Sequence, residues 1–214
     1  MKLPQPTLAH LKKARIEFMR IEPRDFFYWS ITKLVSSILD TQTKPVVVNE
    51  LVCALMMLLT SWNRNYYRFF KSRYSSKTFE SHFADLESVV ERHFVRLNAF
   101  RLQSLNHSSE IPTEDVREIF TDFTSVLGRV GAAKCLHLLA PRYFPLWDAA
   151  ILKDYGMESG LHRHSTDAER YLAFMEIAQQ QMVRIRKLEA FTDNPLKSLD
   201  EYNYCRFTKH VHFE

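Results

Sequence analysis

Glycine is scarce in this chain, with four in 214 residues, and proline is not abundant, with eight. Many-stranded sandwiches, barrels and propellers draw on both residues for their frequent tight turns, so such folds are excluded. Cysteine is scarcer still. Cys53, Cys135 and Cys205 are odd in number and widely separated, which gives neither a disulfide framework nor a paired metal knuckle. No stretch approaches the roughly 18 to 20 consecutive apolar residues of a membrane span. The opening MKLPQPTLAHLKKARIEF has no apolar core and no small-residue cleavage site. The expectation is a soluble, cytoplasmic chain, nucleoid-associated if prokaryotic, with no membrane partner. Nor does one sign of charge dominate. A net charge of +4 and a pI near 8.9 permit a nucleic-acid partner without requiring one.

What remains is a core-forming, helical composition. Hydrophobic residues make up 46%, with 16 Phe, 9 Tyr and 3 Trp among the aromatics, enough for one domain or two closely fused halves. Leu8, Leu11, Ile16 and Met19 recur near helical spacing, and Pro23 ends that helix. A second helix runs over 24–39. After Pro45 an apolar helix carries Val48, Leu51, Val52, Leu55, Met56 and Leu59, and reads as central. Residues 77–105 repeat Phe79, Phe83, Leu86, Val90, Phe94 and Leu97 at helical intervals. Thr113 opens a helix that stops at Gly128; the shorter AAKCLHLLA follows Gly131 and is cut by Pro141. Thr166 and Glu169 form a capping box for a helix over 167–189. Strand-like alternation is nearly absent, so the predicted fold class is all-α.

All four glycines, Gly128, Gly131, Gly156 and Gly160, fall in one short region, LGRVGAAKCLHLLAPRYFPLWDAAILKDYG with the few residues beyond it. Glycine serves where the chain takes a positive φ or approaches a ligand closely, which makes this the first place to look for function. Gly128 and Gly156 are also readable as plain helix C-caps.

This region resembles the helix-hairpin-helix DNA glycosylases, the superfamily of 8-oxoguanine glycosylase and endonuclease III. Members place a glycine hairpin and a catalytic lysine at the head of a helix, then a buried aspartate in a motif D-x-x-[VI]-x-[RK]. Asp148, Ile151 and Lys153 fit that motif, and Lys134 precedes them at a spacing a few residues shorter than usual. A second similarity lies in LTSWNRNYYRF, where Ser61, Asn63, Asn65 and Arg68 follow the family's pattern of a serine and asparagines that enter the space left by a flipped base. Two departures stand out. The family hairpin reads G-x-G-x-K, whereas Gly128, Gly131 and Lys134 fall at every third position. Three cysteines cannot supply the four ligands of the iron–sulfur-bearing members.

The resemblance implies two helical lobes around a cleft, about 24–127 and 128–214, the N-terminal helices completing the second. It implies a monomeric DNA glycosylase that removes a modified base flipped from double-stranded DNA, with no cofactor. It also implies abasic-site lyase activity. The chemistry suits the residues. A carboxylate at Asp148 would stabilise positive charge developing on the sugar. Lys134, among Ala132, Ala133, Leu136 and Leu138, would be partly desolvated and so hold some neutral amine for attack on the anomeric carbon. His137, Trp147 and Trp62 are candidates to wall the base pocket, with Gly128 and Gly131 as phosphate contacts. Arg64, Arg68, Lys71 and Arg73 would meet phosphates. The structural alternatives remain open: a solvated lysine, an aspartate that is only an N-cap, a core histidine, core tryptophans and a solvated basic face. The H-x-H pairs at 162–164 and 210–212 lack acidic ligands nearby, and no metal is expected. The alternative function is a non-catalytic helical module that binds DNA or protein.

Overall fold

The computed structural model describes residues 5–41, 44–62, 66, 78–157 and 166–213. Those residues are helical with no strand among them: α1 Leu8–Ile21, α2 Asp25–Thr41, α3 Lys44–Trp62, α4 Phe79–Arg101, α5 Thr113–Leu139, α6 Ala149–Asp154, α7 Asp167–Val183, α8 Leu188–Phe191 and α9 Pro195–Asn203. A 3-10 turn at Leu105–His107 and a π-turn at Tyr204–Thr208 complete them. None of these helices is long and apolar enough to cross a membrane.

Local signals explain most boundaries. Thr7 caps α1 by accepting from the His10 backbone N–H, while the His10 ring accepts from the Thr7 N–H. Thr166 and Glu169 form the expected capping box on α7. That helix ends at Val183, short of the expected 189, and after a turn Lys187, left-handed at φ 61°, leads into α8. Helix α6 closes in a Schellman motif: Gly156 takes φ 69°, its N–H donates to Lys153 O at 2.9 Å, and Met157 N–H donates to Leu152 O at 2.8 Å. Gly156 is therefore the C-cap.

Gly128 departs from the expectation of a helix stop. It takes φ 69° and ψ 162°, a conformation open to glycine, yet α5 resumes immediately and runs to Leu139. The result is a kink that re-aims the second half of α5. Gly131 is needed just beyond it, because a Cβ there would lie 3.0 Å from Leu127 Cβ and 3.2 Å from the Tyr66 ring.

Helix α3 is buried on most sides, through Val48, Leu51, Val52, Leu55, Leu58 and Leu59, and packs against α2, α4 and α5. Helix α7 packs on α5, and α1 on α9. Every residue of α9 is buried, including Lys197, Asp200 and Glu201. An amphipathic surface helix would leave such residues wet. Here they form a polar seam between α1, α2 and α9.

Candidate functional site

The kink at Gly128 turns the second half of α5 inward, carrying Lys134 in its second turn. The chain then returns through Pro141–Trp147, and Asp148 begins α6. Lys134 and Asp148 thereby line one cavity of about 50 Å³, together with Trp62, Arg24, Asp200 and Tyr204. That space is enough for ordered water beside the two side chains.

Lys134 is largely sheathed. Its Nζ donates to the Trp62 carbonyl at 3.2 Å and lies 5.4 Å from the centroid of the Trp62 ring. Burial depresses its pKa below the ordinary lysine value, against the opposing pull of Asp200 and Asp148. Asp148 is held on both oxygens: Oδ1 accepts from Ile151 N–H at 2.8 Å, capping α6, and Oδ2 accepts from the Thr208 hydroxyl at 3.0 Å. The N-cap role and a place in the cavity wall thus coexist in one residue.

Behind Trp62 lies the charged seam. Tyr28 stacks on the indole with ring centroids 4.9 Å apart. Lys197 Nζ sits 4.0 Å from the Phe18 ring centroid and pairs with Asp25 at 3.0 Å and Glu201 at 3.1 Å, with Asp200 farther off at 3.8 Å. Burial works against the Lys197 charge, but Glu201, Asp200 and Asp25 outweigh it and raise the pKa. Asp200 is less well compensated. Burial pushes its carboxyl up to about 7, with Asp148 and Glu201 adding to the rise and Lys197 and Lys134 opposing it. Arg24 reaches the cavity already paired with both oxygens of Glu22, and Glu22 Oε2 also accepts from the Tyr204 hydroxyl at 2.7 Å.

The other expected site residues fall in different places. Trp62 lines the cavity and is half-buried. Trp147 also lines it but is only 1% exposed; its indole N–H donates to Arg129 O at 3.1 Å and its ring packs on Phe120 and Tyr171. His137 is fully buried in the core. Its Nδ1 bonds the Phe144 carbonyl and its Nε2 the Tyr28 hydroxyl, both at 2.7 Å, so it cannot touch DNA in this arrangement. The Ser61 hydroxyl turns back to Met57 O at 2.7 Å. Gly128 makes the kink, and Gly131 is buried against Leu59 and Tyr66. Asn63, Asn65 and Arg68, with Arg64, Lys71 and Arg73 and the H-x-H pair at 162–164, lie outside the described residues. Among the described residues the one metal-like grouping, His93, Glu118 and Asp122, lies on α4 and α5 and is already bound by Arg92 and Arg96.

Sequence reasoning passed over Arg24, Lys197, Asp200 and Tyr204. In PLKSLDEYN the charges occupy positions that normally face water, and no period distinguishes a buried ion cluster from a solvated face. The available signal was the strong start, Asn194 capping Lys197 N–H at 3.0 Å ahead of Pro195.

Comparison with known proteins returns no match from family models, curated proteins or solved structures.

Proposed function

We propose that this chain is a DNA glycosylase of the helix-hairpin-helix kind, with two helical lobes, 24–127 and 128–214, flanking a cleft. It removes a modified base flipped out of double-stranded DNA. The observation that carries this reading is the convergence of Lys134 and Asp148 on one cavity, from separate helices, with burial lowering the Lys134 pKa. These are the two residues that the resemblance assigns to chemistry. Lys134 attacks the anomeric carbon, the base leaves, and opening of the sugar gives a Schiff base whose β-elimination nicks the strand. Asp148, fixed by two donors, stabilises positive charge on the sugar. Trp62, half-buried at the last turn of α3, forms the wall beside Lys134 against which the base is placed.

The test is incubation with a panel of modified duplexes and borohydride, which traps the imine. Lys134→Gln abolishes trapping and nicking while the fold persists; undiminished trapping in that variant removes Lys134 from the mechanism. The hydrogen bonds of Asp148 favour one other reading, in which both residues are structural and the chain is a non-catalytic module that binds DNA or protein. That reading requires the parent protein to trap nothing.

A further inference from the structure

Asp200 is the cavity group with the least to do structurally. Its carboxyl accepts no hydrogen bond among the described residues, and Lys197, at 3.8 Å, is spent at shorter range on Asp25 and Glu201. Asp148, by contrast, is bound on both oxygens. Asp200 nonetheless lines the same cavity as Lys134, from a helix with no exposed residue. A largely buried carboxyl at a cavity wall, with its nearest cation 3.8 Å away, is shifted toward its protonated form, and a protonated carboxyl is itself a donor.

Resting on the glycosylase reading, we propose that Asp200 is the general acid of base excision and that the substrate is therefore a modified base without a positive charge. A cationic alkylated base leaves as a neutral molecule unaided, whereas an uncharged base leaves as an anion unless a proton meets it. In the step proposed, the Lys134 amine lone pair forms the bond to C1′. The C1′–base bond breaks, its electron pair goes to the base nitrogen, and that nitrogen takes the Asp200 proton. Asp200, now a carboxylate, accepts the proton released by the new ammonium at C1′. A second transfer from Asp200 to O4′ opens the ring to the protonated imine.

The charged surroundings agree. Facing Asp200 are Lys197 and Glu201 from its own helix, Lys134 from α5, Asp148 at the start of α6, and Arg24 paired with Glu22 from the α1–α2 turn. Lys197 and Arg24 are each offset by carboxylates. The acid and the amine required at the start of the step are the forms that burial favours in Asp200 and Lys134 alike.

The experiment compares the parent and Asp200→Asn on three duplexes, carrying 8-oxoguanine, 7-methylguanine or a preformed abasic site. The Asn variant is expected to trap on the abasic duplex like the parent but to excise the uncharged base at least about 100-fold more slowly. Parental excision falls as pH rises above about 7, near the Asp200 value, and the Asn variant loses that limb. Parental-rate excision by Asp200→Asn overturns the proposal. So does a parallel loss of abasic trapping, which would make Asp200 a mere support for Lys134, and so does a parent preference for the 7-methylguanine duplex. Should the Asn variant not fold, the parent profile decides alone: a rate that does not fall above neutrality overturns the acid role. A parent that traps nothing on the abasic duplex refutes the Lys134 reading instead, a failure visible without any variant.

Discussion

Two buried groups should make the stability of this protein respond to acid in opposite senses. His137 is sealed in the core, and burial lowers its pKa from 6.5 to about 3. The unfolded chain therefore takes up a proton below about pH 6.5 that the folded chain refuses, and stability is lost as pH falls through that window. Asp200 behaves inversely: its folded value of about 7 lies above the reference 3.8, so the folded chain holds the extra proton between them and stability is lost as pH rises. On going from about pH 7.5 to about pH 5, His137 costs roughly 2 kcal/mol and Asp200 returns a similar amount, at about 1.4 kcal/mol per pH unit of separated titration. The two nearly cancel in the parent protein. Urea denaturation at both pH values for the parent, His137→Gln and Asp200→Asn exposes them, because other titrating groups drop out of the comparison with the parent. Relative to the parent, His137→Gln should gain on acidification and Asp200→Asn should lose, each by about 2 kcal/mol, a midpoint shift of about 1 M urea. If both variants keep the parental pH slope, the assignment of these two buried protonation states is wrong.

Asp148→Asn separates capping from chemistry. Asn caps about as well as Asp, so the urea midpoint should hold within about 0.5 kcal/mol while single-turnover excision falls by about 100-fold or more; full turnover would leave Asp148 a cap only. Gly128→Ala should destabilise by about 1–3 kcal/mol, since φ 69° with ψ 162° is strained for any L side chain. An unchanged midpoint would mean that the kink is not needed to aim Lys134. Lys134→Gln, scored by borohydride trapping, tests the nucleophile as described above.

The fold class was legible because helix punctuation is local. Thr166 with Glu169, Pro23, Pro45 and Pro141 act within a turn of where they stand, and the apolar spacing of α3 announces its burial. Gly128 shows the limit of such signals: a positive φ ends a helix or merely bends it, and the decision rests with tertiary packing, here Gly131 against Leu59 and Tyr66. The candidate site was half legible for the same reason. Lys134 and Asp148 stand in one continuous segment, where a resemblance reads them together. Asp200 and Arg24 come from opposite ends of the chain and meet only because α1 packs on α9.

That packing also explains why α9 carries Lys197, Asp200 and Glu201 where apolar side chains would have been cheaper to bury. Removing charges from water costs several kcal/mol each unless they are paired. Lys197 is paired twice at hydrogen-bond range, and the Glu201 carboxylate also meets Arg15. Asp200 has only Lys197, at 3.8 Å, and lines the cavity with Lys134, whose pKa burial lowers. A helix selected only for packing would have no reason to keep a weakly compensated carboxyl at the wall of a cavity. A helix that must hold a proton next to an amine does, and the stability gained by Asp200→Asn at about pH 7.5 would measure what that retention costs.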